Sequence, residues 1–190
     1  MTTTPDTSPA TGLVPPDVFR AVMGSFASGI TVVTSVADGV PRGMTVTAVC
    51  SVSADPPMLL SCFKKPSATL DAIDALGYFA VNFLDAEARE LSNVFAGRVP
   101  DRFSRVRWRP GVAGVPLLAG TVAHAECVVR ERLDAGDHVI VLGGMVGGAV
   151  DPQRLPLGYW RGSYVRLFRM SRPRPAGDAA DSPVEWSPGC

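Results

Sequence analysis

Histidine is almost missing from this sequence: only His124 and His138 occur in 190 residues. The four cysteines, Cys50, Cys62, Cys127 and Cys190, form no Cys-x-x-Cys pair. Too few nitrogen and sulfur ligands at suitable spacing remain for a zinc site to be expected. Net charge is missing too, because 18 Lys and Arg balance 18 Asp and Glu. No overall field draws the chain to nucleic acid or to an anionic membrane, so neither partner is expected. The longest apolar run, Val139 to Val150, is too short and too rich in glycine to cross a bilayer. The N-terminus lacks a charged-then-apolar leader pattern, which makes the cytoplasm the expected location. No Gly-x-Gly-x-x-Gly follows a strand-like run and no Gly-x-Ser-x-Gly elbow occurs, so a Rossmann site and a hydrolase triad are both disfavoured.

What the sequence does contain is a long alternating stretch, Gly43 to Thr69. Met44, Val46, Ala48, Cys50 and Val52 fall on one face of an expected strand. Thr45, Thr47, Ser51 and Ser53 fall on the other. A buried hydroxyl must find a partner or cost stability, so a hydroxyl-rich face is unusual for a purely apolar core. Asp55-Pro56-Pro57 ends the strand, because proline cannot donate to a ladder. A second strand, Met58 to Phe63, returns beside it and delivers Lys64, Lys65 and Ser67 to the far end. A polar strand face beside a basic, helix-capped loop suits a flat heteroaromatic ligand carrying a phosphate. The same residues also suit a half-exposed strand followed by an ordinary turn, and on their own they leave both readings open.

With 46% hydrophobic and 19% charged residues, 190 residues make one globular domain. Such a domain removes roughly 70% of its unfolded surface from water. Residues 1–16 are rich in Thr and Pro and are expected to be disordered, as is the Pro-rich tail 171–190, leaving 17–170 as the domain. Asp17 opens a helix whose Phe19, Val22, Met23 and Phe26 share one face. Burial of each is expected to contribute roughly 1.5–3 kcal/mol before entropy is counted. Ile30 to Ala37 reads as a strand turned by Asp38-Gly39 into the next. Ser67 caps a helix ending at Gly77, Tyr78 to Leu84 is a strand, and Asp85 opens a helix closed by Gly97. Arg98 to Leu118 has no clear period and reads as a long ordered loop. Thr121 to Leu133 is a strand with Ala125 and Cys127 on one face and His124 and Glu126 on the other, wetted, face. The glycines of Val139 to Val150 predict bulges or close backbone approach, and Tyr159 to Arg169 is the last strand. The cysteines within strands read as small buried hydrophobes. Strands and helices do not alternate regularly, which favours a mostly β, antiparallel Greek-key barrel with inserted short helices.

Several segments, taken in order, resemble the flavin reductase domain family, the small NAD(P)H:flavin oxidoreductases of two-component monooxygenases. They are FRAVMGSFASGITVVT (Phe19 to Thr34), the Gly43 to Thr69 stretch, YFAVNFL (Tyr78 to Leu84), LSNVFAG (Leu91 to Gly97) and DRF (Asp101 to Phe103). GVPLLAG (Gly114 to Gly120), AGDHVIVLG (Ala135 to Gly143) and PLGYWRGSY (Pro156 to Tyr164) complete the set. The resemblance covers about residues 17–169. It implies an FMN-binding split barrel working as a homodimer, with FMN or FAD as the flavin, NADH or NADPH as reductant and a flavin-dependent monooxygenase component as recipient of reduced flavin. It further implies that Arg42, Gly43, Met44, Thr45, Thr47 and Ala48 line the flavin ring and ribityl chain. Cys62, Phe63, Lys64, Lys65 and Ser67 would surround its phosphate end, and Phe95 and Arg98 would close on it. His138 would be the catalytic-site residue meeting the nicotinamide, with Tyr159, Arg161 and Tyr164 beside the dinucleotide. Lys64-Lys65-Pro66 and Gly143-Gly144-Met145 depart from the family pattern, leaving open the choices of FMN or FAD and of NADH or NADPH. Other readings are a flavoprotein that keeps its flavin, as a sensor or stand-alone oxidase, and a structural or haem-type barrel without turnover.

Overall fold

The structure, a computed structural model, describes residues 12–97 and 99–168. Of the expected tails 1–16 and 171–190, residues 1–11 and the whole second tail with Cys190 lie outside the described residues, as does the candidate Arg98; Pro16 begins the first helix. In chain order the elements are α1 (Pro16–Gly24), β1 (Ser28–Gly29), β2 (Thr31–Ala37), β3 (Val40–Val46), β4 (Val49–Ala54), β5 (Pro57–Lys64) and α2 (Ala68–Leu76). Then come β6 (Tyr78–Leu84), α3 (Arg89–Ala96), β7 (Trp108–Pro110), β8 (Pro116–Leu118), β9 (Thr121–Ala135), β10 (His138–Val150), β11 (Leu157–Trp160) and β12 (Ser163–Arg166). Short 3₁₀ turns at Arg102–Arg105 and Val112–Gly114 flank β7.

Seven strands form one antiparallel sheet in the order β3-β2-β6-β9-β10-β5-β4. Its two edge strands, β3 and β4, are consecutive in the chain and separated only by Thr47 and Ala48. A two-residue link cannot cross the width of a flat seven-stranded sheet, so the sheet must curl until its edges meet. The Cys62 amide donates to the Ala48 carbonyl (3.0 Å) and the Thr31 hydroxyl to the Val46 carbonyl (2.7 Å), fixing both sides of the step. The single alternating strand expected over Gly43–Ser53 is therefore two strands in different ladders. Its period-two pattern runs through a corner that alternation does not report.

The enclosed core contains Val33, Val46, Leu59, Phe63, Ile73, Phe79, Val81, Cys127, Val139 and Val141. Turn residues act where expected: Asp38-Gly39 joins β2 to β3, and Ser67 accepts from the Leu70 amide at the start of α2 (3.3 Å). Gly77 ends α2 in the left-handed conformation (φ 75°), which costs glycine little. The expected bulges of β10 lie between Leu142 and Gly143 and between Met145 and Gly147. A Cβ at Gly143 would stand 2.5 Å from the Phe79 ring, so only glycine lets β10 close onto the core there.

Other local expectations change. The apolar face expected for the first helix is not buried within the chain: Phe19 and Val22 of α1, and Phe26 just beyond its end, are 57%, 64% and 73% exposed. The helix is held instead by backbone, the Arg161 amide donating to Gly24 and the Trp160 indole to Ser25. The last strand is a hairpin, β11–β12, turning at Arg161-Gly162. The loop after α3 contains the small β7–β8 hairpin. Among the cysteines, Cys127 is buried, Cys62 half-buried and Cys50 exposed, because Cys50 lies on the outer side of the edge strand β4.

The β7–β8 hairpin is joined to the barrel by polar bonds. Asn82, fully buried, donates to the Val32 carbonyl and the Thr34 hydroxyl (3.1 Å each) and accepts from the Leu118 amide (2.8 Å). Thr34 in turn donates to the Pro116 carbonyl (2.6 Å). Glu126, expected on a wetted face, is buried because this same hairpin covers it, and it accepts from the Val112 amide. Replacing Asn82 by Leu strands several buried groups at once. Asn82→Leu is expected to lower the unfolding free energy by about 2–4 kcal/mol in urea denaturation.

Candidate functional site

The step at Thr47 and Ala48 leaves two exposed residues belonging to neither ladder. Around it the fold gathers β3, the end of β5 and the start of α2. The Ser67 hydroxyl donates to Met44 Sδ (3.3 Å), tying the α2 cap to β3, while Cys62 stands against Ala48. Lys64 at the end of β5 is exposed and pairs in register with His138 at the start of β10. The Lys65 amide donates to the Asp137 carbonyl (2.9 Å), and the Lys65 ammonium forms an ion pair with Asp134 (3.0 Å). The β9–β10 turn is thus fixed to the loop carrying the lysines.

On the other side of β3 lies α3. The Thr45 hydroxyl donates to the Ser92 carbonyl (2.7 Å). Tyr164 of β12 donates to Asn93 Oδ1 (2.7 Å), lies 3.1 Å from the Ser92 hydroxyl, and packs edge-on to Tyr159. Gly43 backs onto the C-terminal end of α3, where an added Cβ would meet the Phe95 ring at 3.0 Å and Phe103 at 3.2 Å. Arg102 locks the corner by donating to three backbone carbonyls, those of Gly43 (2.8 Å), Val99 (3.2 Å) and Gly97. Between β3, the first turn of α2 and residues 99–104 lies a cleft of about 560 Å³.

The electrostatics are local. His138, with a 41% exposed side chain, sits 2.7 Å through Nδ1 from an Asp137 carboxylate oxygen. The hydrogen bond from that ring holds the Asp137 carboxyl below the usual carboxylate range. The hydrogen bond and charge of Lys65 do the same for Asp134. Burial pushes the Cys62 thiol up, so it stays protonated and is a poor nucleophile. Burial, then the Glu126 charge, takes Cys127 to about 12. Among the described residues no group of three His, Cys, Asp or Glu side chains is placed to hold a metal ion, and no helix is long and apolar enough to cross a membrane.

Comparison with known proteins decides the family. The Flavin reductase like domain profile matches residues 23–167. The chain belongs to the flavin reductase family. A flavin reductase (NADH) of Kitasatospora aureofaciens is 49% identical over 171 residues, 88% of this chain and 90% of that protein. The reductase subunit HsaB of a flavin-dependent monooxygenase from Mycobacterium tuberculosis is 38% identical over 158 residues, 81% of this chain and 83% of its own. Among solved structures, the NADH:FAD oxidoreductase of Streptomyces globisporus in complex with NAD and FAD fragments superposes with a TM-score of 0.77. It is 35% identical and the match covers 88% of this chain and 100% of that one. The fold is accordingly a split barrel, as the resemblance implied.

In this flavin reductase the candidate residues divide into two neighbouring groups linked through β3. Met44, Thr47, Ala48, Cys62, Lys64, Lys65, Ser67 and His138 belong to the group around the corner and the β5 and β10 ends. Gly43, Thr45 and Phe95 belong to the group against α3, continued by Tyr164 and Tyr159, while Arg42 is exposed and lines the cleft beside β3. Arg161 lies apart from both contacts, on the β11–β12 turn with its guanidinium 4.7 Å over the Trp160 ring. Phe63 points into the barrel core and Phe95 into the packing under α3, so their side chains support the surface rather than face it. Sequence reading singled out neither Arg102 nor Ser92 nor Asn93 as site residues. Only the DRF segment marked the first, and nothing local marks a helix carbonyl as the partner of Thr45. The donor set fits a flavin carrying a phosphate: an exposed lysine, the exposed Thr47 and Ala48 amides and the first turn of a Ser67-capped helix.

Asp137 and Asp134 both titrate lower when folded, so their ionised forms favour the folded state. That contribution is present above the unfolded carboxylate value, about 3.9, and is lost as pH falls through the lower folded values. In His138→Ala the Asp137 carboxyl, followed by carbon-13 NMR, is expected to move upward toward the ordinary carboxylate range, while Asp134 stays depressed by Lys65.

Proposed function

We propose that this protein transfers hydride from NADH or NADPH to FMN or FAD and supplies the reduced flavin to a separate flavin-dependent monooxygenase component. The observation that carries the reading is the gathering of Lys64, Ser67, Thr47, Ala48 and His138 on one side of the barrel, in a chain of this family. Hydride chemistry is supplied by the bound nicotinamide and flavin themselves. The chain's own residues bind and orient. The Ser67-capped turn and Lys64 hold the phosphate. The Thr47–Ala48 amides present donors to the polar edge of the ring, where negative charge grows on reduction. The bond from Thr45 to Ser92 fixes β3 against α3, so this edge keeps its position.

His138 acts on the nicotinamide side. In the tautomer whose Nδ1 donates to Asp137, Nε2 is an acceptor, which suits a carboxamide NH₂. Tyr159 and Tyr164 extend the dinucleotide surface along α3 and β12, with Arg161 beyond them on the β11–β12 turn. Residues 17–170 form the working domain. Dependence on NADH or NADPH places the enzyme in the cytoplasm, where that reductant is supplied.

The working form is a homodimer. The bare apolar face of α1 and a groove of about 1110 Å³ lined by Val52, Met58, Phe83, Met145 and Val150 are each too apolar for a lone soluble chain, and two copies together cover both. Phe19→Glu with Phe26→Glu is expected to convert the dimer to monomer in sedimentation velocity, and an unchanged dimer would move the interface elsewhere.

Nicotinamide oxidation, followed by absorbance, is expected to rise in proportion to added free flavin over many turnovers. His138→Ala is expected to raise KM for the nicotinamide about tenfold or more while flavin affinity stays nearly unchanged. An unaltered KM would remove His138 from the site.

A further inference from the structure

α3 ends without the usual devices. Gly97, which follows it, is extended (φ −85°, ψ 175°) rather than left-handed, and no basic residue stands in the last turn. The carbonyls leaving the helix therefore lack both the ordinary capping amide and a nearby cation within the helix. Arg102 supplies donors and charge from beyond it. Its guanidinium donates through Nη2 to the Gly97 carbonyl, through Nε to that of Val99 (3.2 Å) and through Nη1 to that of Gly43 on β3 (2.8 Å). The first two lie on the segment leaving α3 and the third on β3, so one side chain spans the seam between them.

Both sides of the seam are otherwise set. Gly43 stands opposite Thr34 in the β2 ladder, and the Phe95 and Phe103 rings that close over it pack edge-on, 5.1 Å between centroids. The turn that delivers Arg102 is fixed too. Asp101 is left-handed (φ 51°), and Ser104 donates to the Asp101 carbonyl through its amide (3.1 Å) and its hydroxyl (2.7 Å). Among the described residues no carboxylate pairs with Arg102. Its charge is engaged by main-chain dipoles instead. The Thr45–Ser92 bond fastens α3 to β3 nearer the middle of the helix, and Arg102 fastens the end.

We propose that Arg102 is a positioning residue for flavin: it clamps the C-terminal end of α3 to β3 and so holds in place the β3 residues assigned to the flavin, without touching the flavin itself. The proposal rests on the flavin reading above and adds to it the group that keeps one wall of the site in register. Shape rather than charge is what the position requires. A planar guanidinium reaches separate carbonyls with separate N–H groups, whereas the compact ammonium of lysine on its flexible stem cannot span them.

The test is flavin binding by fluorescence quenching on the full chain, with FMN and FAD measured separately and thermal unfolding followed alongside. Arg102→Ala and Arg102→Lys are each expected to raise the flavin Kd about tenfold or more, the scale on which small misplacements of binding groups act. KM for the nicotinamide, which meets the other side at His138, is expected to change much less. Millimolar guanidinium chloride is expected to restore flavin binding to Arg102→Ala, and urea at the same concentration is not. Arg105→Ala removes a neighbouring exposed arginine that makes none of these bonds and is expected to bind flavin as the wild type does. An unchanged flavin Kd in the folded variants overturns the proposal and leaves flavin reduction standing. So does a raised Kd that guanidinium fails to lower in Arg102→Ala, an equal rise in the nicotinamide KM, or the same loss in Arg105→Ala. If Arg102→Ala does not fold, the Kd and KM of Arg102→Lys decide. Failure of the wild-type protein to bind either flavin overturns both readings together.

Discussion

The constraint from which the architecture follows is the two-residue passage from β3 to β4. It obliges the chain to leave one edge of a seven-stranded sheet and enter the other almost at once, which only a closed sheet allows. Closure encloses the Phe63, Phe79, Val139 and Val141 core and removes most of the open edge that a sheet of this size would expose. It also produces an irregular place on an otherwise regular surface. Thr47 and Ala48 stand exposed outside both ladders, and the ends of β5 and β10 and the cap of α2 converge there. The site is a by-product of closing the barrel.

Much of this was legible in the residues. Strand-like runs marked β2, β5 and β6, two unlike faces marked β9, Asp38-Gly39 marked a hairpin, and Ser67 and Gly77 marked both ends of α2. These signals are local, and local physics decides them. What escaped was non-local. Side-chain alternation is indifferent to which strand lies alongside, so the corner at Thr47 left no trace in the pattern of Gly43–Ser53. The period of α1 states that one face wants covering, but nothing in it says whether the cover belongs to the same chain. Glu126 sat on a face that alternation assigned to water, and only the return of the β7–β8 hairpin makes it interior. Strands as short as Trp108–Pro110 and Pro116–Leu118 are too brief to carry any period.

The site was half legible for the same reason. Lys64, Ser67 and His138 were identifiable as chemistry-bearing types, and the fold brings them to one end of the barrel. The contacts that fix the elements around them are mostly to backbone: the Ser92 carbonyl beneath Thr45, the Asp137 carbonyl beneath Lys65, and the three carbonyls gripped by Arg102. Main-chain acceptors have no sequence signature, because every residue carries one. A chain that binds cofactors with their own reactivity needs few titrating side chains, which agrees with its shortage of histidine.

Lys65 joins the two loops in two unlike ways. Its ammonium reaches the exposed carboxylate of Asp134, while its amide donates to the Asp137 carbonyl. Counter-ions screen the first link and scarcely touch the second. Rising ionic strength therefore weakens the ammonium's hold on Asp134 without releasing the loop, whose course stays set by the main-chain bond.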